Sequence, residues 1–128
     1  MPFGVNSTDL FKGKKAVLIA VPGAFTPVCS GKHVPGFIEK YDELRSRGVE
    51  LVACTAVNDA FVLGAWSNDL KGWGKVEMLA DGSARFAKAV GAELDLGEKG
   101  MGIRSKRYAM LLDDGVVKYV GVDESGLD

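Results

Sequence analysis

The feature that most constrains this chain is an uninterrupted apolar run, Ala16-Val-Leu-Ile-Ala-Val21, ended at once by Pro22-Gly23. A half-exposed strand alternates apolar and polar residues, whereas a continuous apolar run needs cover on both of its faces. Such a strand belongs inside a layered structure, and the segments that follow supply the layers. From Cys29 onward the spacing turns helical. Val34, Phe37, Ile38, Tyr41 and Leu44 share one face, Lys40, Asp42, Glu43 and Arg45 lie largely elsewhere, and Gly48 offers a stop. Pro35 falls within this helix and deletes a backbone hydrogen bond, so Cys29 to Val34 reads as a first turn weakly coupled to the rest.

A second apolar strand, Val49 to Val57, carries Cys54. Asn58 is placed to cap the next helix, in which Phe61, Ala65, Trp66 and Leu70 recur at helical intervals. Val76 to Ala80 reads as a third strand, and Ser83 as the cap of a short helix through Phe86 and Val90 that stops at Gly91. Leu94 to Lys106, with Gly97, Gly100 and Gly102, reads as a loop. Tyr108 to Leu112, then Asp113-Asp114-Gly115, then Val116 to Val122 is a hairpin signal. Alternating strands and helices closed by an antiparallel hairpin predict an α/β chain with a mixed β-sheet and flanking helices. That mixture suits a thioredoxin-like fold better than a purely parallel doubly wound sheet.

Composition removes most other classes. The 128 residues favour one domain, 1–128, and are enough to bury a core. Hydrophobic residues make up 47% and charged residues 26%, which excludes intrinsic disorder and collagen-like repeats. The formal charge of −1 argues against nucleic acid as a partner. No apolar stretch reaches the length of a membrane span, and the N-terminus lacks the charged and apolar regions of a signal peptide. Asn6-Ser7-Thr8 matches a glycosylation acceptor, but nothing else suggests secretion. Two cysteines are too few for a disulfide scaffold and, with His33, for a two-plus-two zinc site. The expectation is a cytoplasmic chain with reduced thiols.

In open α/β folds chemistry concentrates where strands end and helices begin. The first such junction reads Pro22-Gly-Ala-Phe-Thr26-Pro-Val-Cys29 and places a thiol at a helix N-terminus, where the dipole and backbone N–H groups favour the reactive thiolate. Thr26 is spaced for its hydroxyl to touch the sulfur or an oxygen bound there. Pro22 and Pro27 stiffen the turn and keep water off the sulfur. Pro-x-x-x-Thr-x-x-Cys resembles the active-site motif of the peroxiredoxins, and the longer run PGAFTPVCSGKHVPGF resembles their type II, or peroxiredoxin 5-like, branch. The similarity continues through VNDAFV at 57–62, LADG at 79–82 and RSKRYAMLLDDGVVK at 104–118.

The resemblance implies a thiol-dependent peroxidase acting on hydrogen peroxide and organic hydroperoxides, with no metal or organic cofactor. Cys29 would attack the terminal peroxide oxygen and become a sulfenic acid, Thr26 would hydrogen-bond sulfur and peroxide, and Pro22 would shield the sulfur. Arg107 matches the family's active-site arginine, whose permanent charge would favour the thiolate and steady charge on the breaking O–O bond. The resemblance also implies a homodimer, with aromatic residues near the active-site loop meeting the partner subunit. Against that branch the chain is short at both ends. It is abbreviated before Leu10, where relatives carry a β-hairpin, and stops at Asp128, where they continue into a final helix.

Other readings stand beside these. Cys54 is either a core residue or, by its spacing in the type II branch, a resolving cysteine that would need the first helical turn to unravel. His33 lies one turn after Cys29, giving a thiol hydrolase as one alternative, although a structural or interface role is preferred. A peroxide-sensing redox relay without rapid turnover is another. Arg104 and Lys106 flank Arg107 and either reinforce its field or form a solvated basic edge, while Trp66, Phe25 and Phe37 read as packing residues. No cysteine follows Cys54 and none lies within two residues of Cys29, so recycling falls to Cys54 or to an external thiol. Because Cys54 reads as buried, the external thiol is favoured: glutathione with glutaredoxin, or thioredoxin.

Overall fold

The computed structural model describes residues 7–26, 34–71 and 74–123. Within them a five-stranded sheet runs in the order β3-β2-β1-β6-β7, from β1 (Lys15–Ala20), β2 (Leu51–Ala56), β3 (Glu77–Ala80), β6 (Arg107–Asp113) and β7 (Val116–Asp123). The pairs β1–β2 and β2–β3 are parallel, while β1–β6 and β6–β7 are antiparallel. The mixed sheet and the thioredoxin-like α/β class are therefore as expected.

Helices cover both faces. On one side α2 (Val34–Glu39), α3 (Tyr41–Ser46) and α4 (Ala60–Leu70) pack with Val34, Phe37, Tyr41, Leu63 and Trp66 over Ile19, Val21, Val52 and Cys54. On the other, α1 (Ser7–Phe11) and α5 (Arg85–Ala89) bring Phe11 and Phe86 against Ala16, Leu18, Ala20 and Ala53. Ile19 and Ala20 are each 0% exposed, so both faces of β1 are sealed, which is why its sequence shows no polar alternation.

The hairpin forms where the sequence places it. Asp113 pairs with Val116, leaving Asp114 (φ 53°) and Gly115 (φ 78°) as a two-residue turn whose positive φ values suit the twist of the strands. A bulge between the pairs Leu111–Tyr119 and Leu112–Val117 sets Lys118 out of the ladder. Gly48 (φ 91°) ends α3 as expected.

Four local expectations are corrected. The helix read as continuous from Cys29 is divided, among the described residues, into α2 and α3 by Lys40, and the turn Cys29 to His33 lies outside them. Asp59, not Asn58, caps α4, its Oδ1 accepting from the Val62 N–H at 2.8 Å. Ser83 does not cap α5; the Asp81 carboxylate reaches over it to accept from the N–H groups of Phe86 at 3.0 Å and Ala87 at 2.9 Å. The glycine-rich stretch from Leu94 is not a plain loop. It belongs to a two-stranded antiparallel ribbon of β4 (Glu93–Leu96) and β5 (Gly102–Ser105), joined through a 3₁₀ turn at Gly97–Lys99. Gly100 and Gly102 take positive φ (74° and 69°), so these glycines turn the ribbon rather than dissolve it.

Tyr108 on β6 is buried among the residues beneath α1 and α5, and its phenol oxygen has no hydrogen-bond partner among the described residues. Burial, with smaller contributions from the Asp81 carboxylate and Cys54, pushes this phenol well above its usual range.

Two predictions follow from these contacts. Asp81→Ala removes the two carboxylate oxygens that accept from two backbone donors and is expected to cost about 1–2 kcal/mol in urea unfolding, whereas Ser83→Ala stays within about 0.5 kcal/mol. Equal losses would contradict the capping assignment. For Tyr108, the unfolded chain gives up its phenol proton near the ordinary value of about 10 while the folded chain retains it. The linked stability is thus full below that pH and is lost as pH rises above it. Tyr108→Phe should unfold within about 1 kcal/mol of the parent at neutral pH and fall less steeply above about pH 10. Identical alkaline slopes would refute the buried-phenol assignment.

Candidate active site

The site begins where β1 can no longer pair. The Val21 N–H still donates to the Thr55 carbonyl at 3.1 Å, but Pro22 has no N–H to continue the ladder. Pro22 is fully buried and the chain turns out of the sheet through Gly23-Ala24-Phe25-Thr26. Three side chains shape this turn. Asn58 Oδ1 accepts from the Ala24 N–H at 2.9 Å, tying the turn to the start of α4. The Thr26 hydroxyl donates to the Gly23 carbonyl at 2.8 Å. Arg104 of β5 donates from Nη1 to the Pro22 carbonyl at 3.4 Å. Phe25 takes φ 63°, a conformation unusual for a side chain of its size, and its ring lies 6.4 Å from that of buried Trp66, tilted by 50°.

Arg107 enters from the neighbouring strand. It opens β6, next to the final pair Ala20–Tyr108, so the antiparallel register carries it to the level at which β1 gives way to the turn. Its side chain is only 5% exposed. Strand alternation turns Arg107 and Ala109 to the face covered by α2, α3 and α4, and Tyr108 to the other. A buried guanidinium is a permanent positive charge in a medium that screens it weakly.

The structure thus brings Pro22, Thr26 and Arg107 to one end of the sheet. Cys54 is on the same face but deeper. It pairs with Ile19 and Met78 in mid-sheet and is 0% exposed. Cys29, His33 and Pro27 lie outside the described residues. Arg104 is more specific than a neighbour contributing to a positive field: its Nε donates to the Met101 carbonyl at 3.0 Å while Nη1 reaches Pro22. Phe25 and Trp66 do pack together, although Phe25 remains half exposed. Asn58 and Arg104 are the two site residues whose roles sequence reading misses. Their partners, Ala24 and Pro22, are 34 and 82 positions away, and no local pattern marks such a pairing. Among the described residues no cluster of His, Cys, Asp and Glu is arranged to hold a metal, and no helix is long and apolar enough to cross a membrane.

Comparison with known proteins agrees with this fold. The redoxin family pattern matches residues 3–127. The chain is 54% identical over 124 residues to the chloroplastic peroxiredoxin-2E of Arabidopsis thaliana, covering 95% of this chain and 53% of that protein. It therefore spans about half the length of that curated relative. Reduced Prx3 of Vibrio vulnificus, solved in complex with hydrogen peroxide, superimposes with a TM-score of 0.88 at 50% identity, over 92% of this chain and 72% of that one. Peroxiredoxin 5 of Alvinella pompejana gives a TM-score of 0.85 at 39% identity, over 91% and 75%. With the mixed sheet, the proline-started turn and the buried arginine beside it, these matches show that the chain belongs to the peroxiredoxin family, in its type II, peroxiredoxin 5-like branch.

Proposed function

We propose that this chain is a thiol-dependent peroxidase that reduces hydrogen peroxide and organic hydroperoxides through Cys29. The observation that carries the reading is the placement of buried Arg107 at the end of β1, beside the Pro22–Thr26 turn that leads to Cys29. The peroxide complex of the Vibrio vulnificus relative supports the choice of substrate.

The chemistry needs little beyond these groups. The Cys29 thiolate attacks the terminal oxygen of the peroxide. A sulfur–oxygen bond forms as the O–O bond breaks, and its electron pair leaves on the second oxygen, which takes a proton and departs as water or an alcohol. Sulfur is oxidised to the sulfenic acid and the peroxide is reduced. Arg107 favours the thiolate beforehand and steadies the negative charge that grows along the breaking bond. The Thr26 hydroxyl, which donates to the Gly23 carbonyl in the described structure, turns its proton to the sulfur and the incoming oxygen. Pro22 closes the floor of the site against water.

Recycling proceeds through an external thiol, from glutathione with glutaredoxin or from thioredoxin. That thiol attacks the sulfenic sulfur and expels water. A second thiol then cleaves the mixed disulfide, returning Cys29 and leaving the reductant oxidised. The burial of Cys54 in mid-sheet supports this route over resolution by Cys54, whose thiol is sealed within the core. A homodimer belongs to the same reading, supported by Phe25 and Phe61, which stand exposed at the turn and at the start of α4.

The test is peroxide consumption under excess dithiothreitol. Cys29→Ser is expected to abolish turnover, and Arg107→Ala to lower the rate by about 10²–10³-fold. Consumption by Cys29→Ser at close to the parental rate would end the proposal.

A further inference from the structure

Arg104 lies on the β4–β5 ribbon, outside the main sheet, yet it is joined to the turn on which the proposed chemistry depends. Its guanidinium spans two segments, with Nε on the Met101 carbonyl at 3.0 Å and Nη1 on the Pro22 carbonyl at 3.4 Å. A second, independent observation concerns the space around Nη1. A Cβ added at Gly23 would lie 2.8 Å from it and 3.8 Å from Cζ, closer than the first pair of atoms tolerates. Gly23 is thus the residue that lets the guanidinium approach the turn, although its own φ is not in the left-handed region.

The Pro22 carbonyl belongs to the peptide that leads into Gly23, and the Gly23 carbonyl is the acceptor for the Thr26 hydroxyl. Holding the first peptide plane therefore steadies the backbone that carries Thr26, so that its hydroxyl oxygen stays in place when its proton turns from the Gly23 carbonyl to the reacting groups. We infer that Arg104 is a positioning residue for peroxide reduction: it fixes the Pro22–Thr26 turn from the ribbon side, and Gly23 is required to admit it. This inference rests on the peroxidase reading above. The role belongs to the guanidinium fork, because a lysine carries the same charge but cannot reach two carbonyls in this fixed geometry. It also separates Arg104 from Arg107, whose buried charge faces the reacting atoms.

The experiment compares two rates on the reduced chain, oxidation of Cys29 by hydrogen peroxide and its alkylation by iodoacetamide. Alkylation needs only an accessible thiolate, whereas peroxide reduction also needs the aligned turn. Arg104→Lys is expected to lower the peroxide rate about tenfold while leaving alkylation within about twofold. Gly23→Ala should lower the peroxide rate similarly, but should cost little more when added to Arg104→Ala, since the clash partner is gone. Arg104→Gln keeps part of the stem and replaces the alanine variant if the latter does not fold. A parental peroxide rate in Arg104→Lys overturns the inference. So does an equal fall of both rates, or a Gly23→Ala penalty of the same size in both backgrounds. A parent chain that reacts with iodoacetamide but not with peroxide would instead defeat the peroxidase reading itself.

Discussion

The structure depends on how β1 is held between two unlike neighbours. Residues Ala16 to Ala20 pair in parallel with β2 and antiparallel with β6, so Ile19 stands in one row with Cys54 and Ala109. That register decides which side chains share a face and where each strand ends relative to the others. A shift by one residue would turn Arg107 from the α2–α4 face to the opposite one and carry Tyr108 into its place. Sealing both faces of β1 with apolar side chains makes such a shift costly, because every buried residue of the strand would change sides. The position of a polar site at the sheet's end is in this sense a consequence of the apolar packing beneath it.

The same logic explains why the turn after β1 is held by side chains rather than by sheet pairing. Proline stops the ladder, and the backbone groups of Pro22, Gly23 and Ala24 find partners in Arg104, Thr26 and Asn58. These come from a separate ribbon, from the turn itself and from the entrance to α4. A segment braced from three directions keeps a defined shape without regular secondary structure, which is what the role proposed for the Thr26 hydroxyl needs. Arg107 adds the charge. In the proposed mechanism that charge acts from a weakly screened interior, where attraction for a thiolate is stronger than the same pair would have in water.

Much of this was legible in the sequence, and the reasons differ by element. Ala16 to Val21 announced a doubly covered strand because no polar residue interrupts it, and Asp114-Gly115 announced the hairpin because that turn demands positive φ. The motif residues Pro22, Thr26 and Arg107 were named from resemblance, and the fold gathers these three at one end of the sheet. The misses were local. Asn58 gives way to Asp59 as the cap of α4 while its own Oδ1 accepts from the Ala24 N–H, and Asp81, two positions before Ser83, reaches the donors of α5. The β4–β5 ribbon escaped notice because its four-residue strands are short and glycines border β5, which reads as a loop when only composition is weighed. Arg104 was visible as a charge but not as a clamp, because its partner is far away in the chain and the contact exists only after folding.

The proposed chemistry turns on the sulfur of Cys29, not that of Cys54, meeting the peroxide. The most direct measurement is peptide-level mass spectrometry of the reduced protein after one equivalent of hydrogen peroxide, with a sulfenic acid trap present. The expected result is the trap adduct of a sulfenic acid on the peptide carrying Cys29, while the Cys54 peptide stays reduced. Oxidation appearing first on Cys54, or a chain left unmodified with the peroxide unconsumed, would contradict it.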